Sequence, residues 1–365
     1  MLAAVSAQPH LDRCPGLLRP HRAEDGALVR LRLPGGRIAV SALREVLEAA
    51  AADGAGRLQL TSRGNLQVRA LPDPLPDRFV ERIEATGLLP STSHERVRNI
   101  VASPLAPDLA PLVAALDAGL VADPVLAALS GRFLFALADA SGSVLTEPYD
   151  VAWQSTGGGD GMLLAAGRGV AVPRERAVPA LLGLARDFLV CRGSASVWNV
   201  RDLPADAPLG AGMAAYAPRV APPIVPGPVG DDLVAGVPLG VLTSAHVEAM
   251  AALADTVVVT PWRSVVVPGA AAAADDLAAA GLVTHRDSPW SQLSACIGAP
   301  ACAHGRCSTT SIAADVAGTG RHLPRDLRIH LVGCERQCGA RPDDVVVVAP
   351  ADADEVLATV AELSR

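Results

Sequence analysis

The chain has 365 residues, half of them hydrophobic and only 3% aromatic, and its formal charge is -7. This length allows two or three domains with a substantial core. The acidic balance argues against nucleic acid as a partner, because chains that bind nucleic acid usually carry a basic surface. All 31 basic residues are arginine. A codon bias against lysine gives the same composition, so a single arginine indicates a site only in context.

The N-terminus, the hydropathy and the cysteines together predict the compartment. Residues Met1 to Gly16 lack the charged and then apolar pattern of a signal peptide. No charge-free apolar run reaches the roughly 18 residues that a membrane span requires. Seven cysteines, five of them between residues 296 and 338, fit a metal or cluster site better than a secreted disulfide framework. We therefore expect a cytoplasmic protein with no membrane partner.

Two segments about 200 residues apart share one order of predicted elements. The first has a Pro-Gly-Gly turn from residue 34, a helix around 43–52, a strand over 58–68 and a second helix ending near 86–89. The second has a Pro-Leu-Gly turn from residue 238, a helix around 247–254, a strand over 257–267 and a helix ending near 280–283. This order predicts an internal repeat, with chance similarity between Ala- and Val-rich segments as the alternative.

The strand over 58–68 shows the period of two that is expected when one face is buried, with apolar residues at 58, 60, 66 and 68. The sequence Thr-x-Arg-Gly-Asn at 61–65 interrupts this alternation as a turn does. Each segment therefore predicts one split βαβ half of a ferredoxin-like sheet. The two halves are expected to pair in one sheet around a pseudo-two-fold axis.

The predicted fold class is α+β: two ferredoxin-like split half-units pair into one pseudo-symmetric domain, and an α/β central lobe follows each half-unit. The first lobe has a strand candidate at 132–137, a helix candidate at 175–190 and a glycine run at 157–159 that predicts a tight loop. A segment rich in Pro, Ala and Gly predicts a linker. The predicted domains are half-unit 1 (1–90), lobe 1 (91–204), linker (205–236), half-unit 2 (237–286) and lobe 2 (287–365).

Four cysteines near the C-terminus form two pairs: Cys296 and Cys302 in C-x5-C, and Cys334 and Cys338 in C-x3-C, with 31 residues between the pairs. A cubane iron–sulfur cluster takes four thiolates from loops. Small residues beside these cysteines, such as Gly298, let the backbone approach the cluster and donate amide N–H groups to its sulfides. The motif therefore predicts a 4Fe-4S cluster in lobe 2.

Other interpretations of the cysteines remain open. Zinc usually takes more closely spaced C-x2-4-C pairs, and single buried cysteines are often unligated. Cys307 is a fifth nearby sulfur and is able to replace one of the four predicted ligands. Cys14 and Cys191, which lie far from the motif in the sequence, are expected to be small apolar residues.

The two cysteine pairs after a second half-unit resemble those of the sulfite and nitrite reductases, and the resemblance runs from Gly26 to about Val348. It implies that Cys296, Cys302, Cys334 and Cys338 bind a 4Fe-4S cluster, with the last cysteine also bridging to siroheme iron. It also implies that both central lobes are of the sulfite/nitrite reductase type.

The same resemblance implies two arginines that face cofactor and substrate, Arg63 in a Thr-x-Arg element and Arg98 in an Arg-Asn element. Sulfite reductases carry two lysines on the central-lobe strand, where this chain has Arg132 and Leu134. Loss of one cation weakens an anion site. The segment 335–337 is Glu-Arg-Gln, where reductases usually have Pro-Asn-Gly. These departures, and a chain shorter than usual, argue against reduction of sulfite or nitrite.

Two segments are similar to the precorrin-3B synthase branch of this superfamily: Arg13–Gly16 with 25–36, and Arg192–Ser194. That branch usually has a small, lysine-bearing C-x3-C interior, from which this chain departs. Siroheme and precorrin-3A are both methylated uroporphyrinoids with a rim of carboxylates, which arginines pair. The candidates for these pairs are Arg63, Arg98, Arg132 and Arg192, and a solvated surface arginine is the alternative for each.

The precorrin-3B synthase resemblance implies hydroxylation of precorrin-3A by dioxygen, with lactone formation, in aerobic cobalamin biosynthesis. Electrons are expected from NADH through a partner reductase, because the glycine run at 157–159 lacks the context of a nucleotide fingerprint. The resemblance also implies a mononuclear non-heme iron. His21, His94 and His304 are candidate ligands, although each is more often structural, and the catalytic residues are not legible in the sequence.

Two other functions remain as alternatives. A siroheme-dependent nitrite or sulfite reductase would be purified with bound siroheme and would turn over either anion. A non-catalytic iron–sulfur protein for electron transfer or redox sensing would bind no tetrapyrrole.

Overall fold

A computed structural model describes residues 12, 14–321, 323–324, 327–341 and 343–363. Arg13, which opens one of the segments similar to precorrin-3B synthases, lies outside the described residues, as does most of the segment from Met1 to Gly16. Among the described residues, no helix is long and apolar enough to cross a membrane.

The first half-unit folds over residues 21–85. Its elements are β1 (His21–Ala23), β2 (Gly26–Leu31), β3 (Arg37–Ala39), α1 (Val40–Asp53), β4 (Leu58–Leu60), β5 (Leu66–Leu71) and α2 (Asp77–Ala85). The predicted alternation is confirmed, since Leu58, Leu60, Leu66 and Val68 are all at most 6% exposed. The predicted turn closes between β4 and β5, where the Thr61 amide donates to the Asn65 carbonyl over 2.9 Å.

The first lobe is a mixed six-stranded sheet with two long helices. Its elements are β6 (Ile100–Ala102), α3 (Ala110–Ala122), β7 (Phe135–Ala138), β8 (Val151–Gly157), β9 (Asp160–Ala165), β10 (Arg168–Ala171), α4 (Arg174–Cys191) and β11 (Ala214–Ala215). The predicted helix is α4, and the glycine run forms the turn between β8 and β9. The strand predicted at 132–137 begins later, because Ser130 and Phe133 close a backbone turn first.

The second half-unit repeats the first. Its elements are β12 (Gly227–Val229), β13 (Asp232–Gly236), β14 (Val241–Leu242), α5 (Ser244–Ala251), β15 (Thr256–Val259), β16 (Ser264–Val267) and α6 (Ala274–Ala279). The segment 205–236, predicted as a linker, therefore also contains strands. β11 joins the sheet of the first lobe, whereas β12 and β13 form a hairpin on β16. The turn of this hairpin explains part of the glycine content of the segment 205–236, since Gly230 in the turn has φ +60°.

The two half-units exchange edge strands. β3 of the first pairs antiparallel with β15 of the second, and β14 of the second pairs antiparallel with β4 of the first. The expected pseudo-symmetric pairing is present, but as two five-stranded sheets, β1-β2-β5-β4-β14 and β12-β13-β16-β15-β3, rather than one. Each half-unit completes the edge of its partner's sheet, and both contribute to one apolar core.

The second lobe is a small parallel sheet with a core of its own. Its elements are β17 (Leu293–Ala295), α7 (Thr309–Gly318), β18 (Arg328–Val332), β19 (Asp344–Val348) and α8 (Ala353–Leu363). The strands pair in parallel in the order β17-β18-β19. Parallel pairing places the carboxyl ends of all three strands at one edge, where loops carry the cysteines.

Substitution of Gly36 tests the close approach of the half-units. Gly36 has φ +72°, and a Cβ there would lie 2.0 Å from the Val259 carbonyl oxygen, whereas Gly87 has φ +75° with nothing within 4 Å. We expect Gly87→Ala to lower the free energy of unfolding by about 1–2 kcal/mol through backbone strain alone. Gly36→Ala should cost roughly 1–3 kcal/mol more, because it also overpacks the contact. Urea denaturation measures both, and equal losses would contradict the close approach.

Candidate functional site

A polar row crosses one face of the first sheet. Arg30 pairs in register with Gln67, and Gln67 pairs with Gln59 on the next strand. The three side chains are linked, since Arg30 Nη2 donates to Gln67 Oε1 over 3.1 Å and Gln67 Nε2 donates to Gln59 Oε1 over 2.9 Å. The apolar residues that alternate with them are buried in the shared core. The row therefore lies on the sheet face opposite that core.

The matching row of the second sheet is apolar. Val234 pairs with Val266, and Val266 pairs with Val258, in the same cross-strand pattern. These valines are buried in a small cluster, on which Leu105 and Ile224 pack. The two sheets therefore differ in chemistry although their strands are related by pseudo-symmetry. The first sheet has hydrogen-bond donors on this face, whereas the same face of the second sheet is covered by apolar residues.

Arg30 of the polar row lies within electrostatic range of Arg32 and Arg63. We call these three residues the arginine cluster. The pKa of Arg32 is lowered to about 9, mainly by burial and in part by the charges of nearby Arg30 and Arg63. Burial also lowers the pKa of Arg30 and of Arg63. Arg32 is only 2% exposed, so these cations have lost much of their hydration without an equal number of carboxylates beside them.

Two donor atoms of the arginine cluster are buried without a hydrogen-bond partner, Arg30 Nε and Arg32 Nη1. Another donor of Arg32 is paired, since its Nε donates a hydrogen bond to the Arg96 carbonyl over 3.2 Å. Buried polar atoms are nearly always paired in folded proteins, and an unpaired one points to a missing ion, water or ligand. The arginine cluster therefore has the properties of a site for carboxylates or another anion.

Cys14 also lies near the arginine cluster. Its thiol donates to the Gly131 carbonyl over 3.2 Å, and the same carbonyl accepts from Arg63 Nη1 over 3.5 Å. The sequence predicts Cys14 as an ordinary apolar residue, but the structure places its sulfur among cations. Nothing in the spacing of the cysteines indicates this, because the contact joins residues more than 100 positions apart.

The structure does not hold the four predicted arginines in one site, and only Arg63 belongs to the arginine cluster. Arg98 is 5% exposed and forms a bidentate pair with Asp117, with both N–O distances 2.7 Å. Its Nη1 donates to the Leu88 carbonyl, so Arg98 is structural. The Arg132 guanidinium lies over the Trp198 ring, 4.4 Å from its centroid, and Arg192 donates to the Ala128 carbonyl over 3.1 Å.

Sequence reasoning missed Arg30 and Arg32. The signal was present, because Arg30 and Arg32 lie two residues apart at the end of β2, and alternate residues of an extended chain point to the same face. Because every Lys or Arg position of the chain is an arginine, this pair did not stand out from the other arginines.

The cysteine loops of the second lobe begin at the carboxyl ends of two neighbouring strands. Cys296 directly follows β17, and Cys334 follows β18 after Gly333. The loops touch, because the Gly333 amide donates to Cys296 Sγ over 3.3 Å. Glycines permit this contact: a Cβ on Gly333 would lie 3.0 Å from the Gly305 Cα, and one on Gly305 would lie 2.6 Å from the Ala299 amide nitrogen.

The residues of these loops have the chemistry of a cluster site. All five cysteines from 296 to 338 are free, and none is fully buried. Thiols on glycine-rich loops with accessible amides are what an iron–sulfur cluster uses. Within the described part of the chain, no three His, Cys, Asp or Glu side chains converge on a single metal position. The assignment of Cys296, Cys302, Cys334 and Cys338 as ligands therefore stays a prediction.

Cys307 differs from the four predicted ligands in its surroundings. It packs against the apolar core of the second lobe, and burial raises the pKa of its thiol, with nearby Cys296 raising it further. Cys191, at the end of α4, likewise packs against the core of the first lobe, as expected for an apolar role.

His330 supports the loop that carries Cys338, and the sequence did not indicate it. The ring is buried, its Nε2 donates to the Cys338 carbonyl over 3.0 Å, and its Nδ1 lies 2.7 Å from the Ser294 hydroxyl. Burial is the main reason that the pKa of His330 is lowered. A ring with both nitrogens paired fixes its own orientation and the backbone beside Cys338.

The three histidines predicted as candidate iron ligands do not form one metal-binding group among the described residues. His94 is buried, with Nδ1 within 3.1 Å of the Ser91 and Ser93 hydroxyls and Nε2 3.0 Å from the Asp123 carbonyl. Both nitrogens are thus occupied, and His94 is structural. His21 is exposed on β1. His304 Nε2 lies 3.5 Å from Glu24, beside the cysteine loops.

The cysteine loops meet the first half-unit. Glu24, in the turn between β1 and β2, accepts a hydrogen bond from the Ala303 amide. On the other side, Glu147 of the first lobe lies within electrostatic range of both Arg341 and Arg63, and burial is the main cause of its raised pKa. The structure therefore places the second lobe and the arginine cluster around a common region.

Comparison with known proteins agrees with this architecture. Residues 19–85 match the nitrite/sulfite reductase ferredoxin-like half domain. The chain is also similar to the structure of the Mycobacterium tuberculosis NirA protein, with a TM-score of 0.60, 19% identity, and 84% of this chain and 68% of that chain covered. The chain has the nitrite/sulfite reductase fold. At this identity the likeness shows the fold alone, and comparison with curated proteins found no match.

Proposed function

We propose that the arginine cluster binds the carboxylates of a methylated uroporphyrinoid. The observation that carries this proposal is the pair of buried, unpartnered donors, Arg30 Nε and Arg32 Nη1. Guanidinium groups pair carboxylates through short charge-assisted hydrogen bonds. A macrocycle with a rim of acetates and propionates would offer several such groups to Arg30, Arg32 and Arg63, which the polar row extends across the sheet.

The second part of the proposal is a 4Fe-4S cluster on Cys296, Cys302, Cys334 and Cys338. Such a cluster supplies single-electron transfer when bound. The contribution of the chain is to bring the loops together through Gly298, Gly305 and Gly333, to offer the Gly333 amide to sulfur, and to hold the Cys338 backbone through His330.

His330→Ala tests this support of the cluster. Loss of a residue that orients a metal ligand typically costs 10–100-fold in metal affinity. We therefore expect a chelator to remove iron from the variant about 10-fold faster or more, with partial rescue in His330→Gln, whose amide also donates. His94→Gln is the matched control, because His94 is equally buried but lies in the first lobe. If iron loss were equal in both variants, His330 would have no role at the cluster.

The activity we propose is that of a precorrin-3B synthase: hydroxylation of precorrin-3A with dioxygen and lactone formation, with electrons from NADH through a partner reductase. Leu134 favours this reaction over anion reduction, because it is fully buried in an apolar cluster where sulfite reductases carry a lysine. A mononuclear non-heme iron remains part of the proposal, and neither His94 nor another described residue is assigned to it.

A siroheme-dependent nitrite or sulfite reductase is the second candidate. The fold similarity to NirA favours it, since the arginine cluster suits siroheme carboxylates as well as those of precorrin-3A. A non-catalytic iron–sulfur protein is disfavoured by the unpartnered arginine donors, which such a protein does not need.

One paired assay separates the two enzymes. The anaerobically purified protein is incubated with precorrin-3A, dioxygen, NADH and a reductase, and separately with nitrite or sulfite and reduced methyl viologen. We expect a product heavier than precorrin-3A by one oxygen atom in the first mixture and no anion consumption in the second. Anion turnover without oxygenated product would overturn the synthase proposal.

A further inference from the structure

Cys14 is held in place between the first half-unit and the first lobe. Asp12 accepts hydrogen bonds from the backbone amides of Cys14 and Gly131, over 3.0 Å and 2.6 Å. The Cys14 thiol donates to the Gly131 carbonyl over 3.2 Å, and a Cβ on Gly131 would lie 2.7 Å from the Cys14 Cβ. The missing side chain at position 131 therefore makes room for Cys14, which is half-buried.

The arginine cluster lies beside this sulfur. Arg32 Nη2 donates over 3.5 Å to the backbone carbonyl of the residue that follows Cys14. Arg63 Nη1 donates to the same Gly131 carbonyl as the thiol does. Burial lowers the pKa of all three arginines of the cluster, and a negative charge at Cys14 acts in the opposite direction on each of them. An anion on this sulfur would therefore stabilise the whole cluster.

The carboxylates near the arginine cluster already accept other hydrogen bonds. Glu95 lies in electrostatic range of Arg32, but its Oε2 accepts from two backbone amides, over 2.7 Å and 3.0 Å. Asp150 lies in range of Arg63, but it accepts from two backbone amides and one side-chain amide. Arg32 is 2% exposed, and its Nη1 has no hydrogen-bond partner among the described residues. The buried cation beside Cys14 therefore lacks an anionic partner of its own.

We propose that Cys14 is an oxidation site, at which a peroxide converts the thiol to a sulfinate that pairs with the arginine cluster. In each of two steps the sulfur attacks one peroxide oxygen, the O–O bond breaks, and water leaves. Each step oxidises the sulfur by two electrons and reduces one peroxide. The first step gives a sulfenic acid, and the second gives a sulfinic acid that releases its proton to solvent. The sulfinate oxygens are acceptors for the unpaired Arg32 Nη1.

Oxidation of Cys14 would exclude a ligand carboxylate from the arginine cluster. This consequence rests on the proposed function, in which the same three arginines pair the carboxylates of a uroporphyrinoid. Incomplete reduction of dioxygen yields peroxide, so the proposed reaction would itself supply the oxidant when electrons arrive and no substrate is bound. The sulfinate would then close a site that consumes dioxygen without forming product.

Peptide mass spectrometry of the full-length protein treated with hydrogen peroxide tests the oxidation. We expect Cys14 to gain two oxygen atoms at least about ten-fold faster than Cys191, because a thiol among cations reacts faster than one in apolar surroundings. Cys191 is the matched control, since it is also half-buried, and burial, together with nearby Asp187, raises the pKa of its thiol. Equal rates of oxidation at the two cysteines would overturn the proposal.

Two variants test the pairing of the anion without peroxide. Cys14→Asp places a carboxylate beside the arginine cluster, and Cys14→Asn places a neutral amide of similar size there. We expect a higher thermal midpoint for Cys14→Asp than for Cys14→Asn, because only the carboxylate pairs with the buried cations. We also expect Cys14→Asp to bind a uroporphyrinoid about ten-fold more weakly or worse. Equal thermal midpoints would overturn the proposal.

These measurements separate the oxidation site from the proposed function. The oxidation of Cys14 and the thermal midpoints are measured without a uroporphyrinoid, so both are expected even in a protein that binds none, and absence of binding would contradict the proposed function alone. If the untreated parent binds a uroporphyrinoid and Cys14→Asp binds it as tightly as Cys14→Asn, the proposed function stands. Closure of the arginine cluster by a sulfinate would then be wrong.

Discussion

Serine in place of Cys296 or Cys334 is expected to abolish the broad visible absorption of the iron–sulfur cluster and the activity together. Each substitution removes one of four thiolates, and the two positions lie on the two loops that the Gly333 amide joins to Cys296 Sγ over 3.3 Å. A hydroxyl is a much weaker ligand for iron in these clusters than a thiolate. Visible spectra of the anaerobically purified variants, with iron and acid-labile sulfide counted, measure the effect.

Two cysteines serve as controls for this prediction. Cys307→Ser and Cys191→Ser should keep the absorption and the iron content, because both thiols pack against apolar cores. A full complement of iron and sulfide in Cys296→Ser and Cys334→Ser would show that the ligand assignment is wrong. Loss of the cluster in Cys307→Ser would assign Cys307 as a ligand in place of one of the four.

The second large effect is expected at the arginine cluster. Arg30→Gln and Arg63→Gln should each weaken the binding of a uroporphyrinoid about ten-fold or more, since each removes a charge-assisted contact of about 1.5–3 kcal/mol. Because electrostatic pairing carries this binding, affinity in the parent protein should also fall as salt is raised. Difference absorption of the tetrapyrrole on titration with protein gives the dissociation constants.

Two arginine controls accompany this measurement. Arg174→Gln changes an exposed pair with Asp108 and should leave affinity unchanged. Arg98→Gln breaks the buried pair with Asp117, so it should lower stability, with affinity changing less than in Arg30→Gln. If Arg98→Gln weakened binding more than Arg30→Gln at equal folded fraction, Arg98 would belong to the binding site, as the resemblance to the reductases implies, and its assignment as a structural residue would be wrong.

The repeat was predictable from sequence because both halves need the same unusual backbone at the same places. The Pro-Gly-Gly turn of the first half has left-handed Gly35, and the second half has left-handed Leu239 at the matching position. The amphipathic helix and the interrupted strand follow in both. The two half-units therefore have the same order of elements, although their residues differ.

The exchange of edge strands was not predictable. β3 has three residues and β14 has two, which is too short for an alternation to be visible. Their partners, β15 and β4, lie about 200 residues away along the chain. The sequence also predicts a linker where β12 and β13 lie, because the pairing of β13 with β16 is not visible in a segment rich in Pro and Gly.

The candidate site was predictable in its cysteines and only partly in its arginines. The spacing of the cysteines alone predicts that they are cluster ligands, because ligands on loops come in close pairs. Arginine roles depend on what lies opposite in space: Asp117 occupies Arg98, and the face of the first sheet gathers Arg30 and Arg32 around Arg63. Local sequence indicates that Arg30 and Arg32 share a face, but it contains neither the pairing of Arg98 with Asp117 nor the approach of Arg63 to Arg30 and Arg32.

The visible spectrum of the anaerobically purified full-length protein, with iron and acid-labile sulfide counted on the same sample, tests the central claim most directly. We predict a broad iron–sulfur absorption with about four irons and four sulfides per chain, and no sharp tetrapyrrole bands before a uroporphyrinoid is added. Absence of sulfide would contradict the cluster, and sharp siroheme bands in the purified protein would contradict the synthase in favour of a nitrite or sulfite reductase.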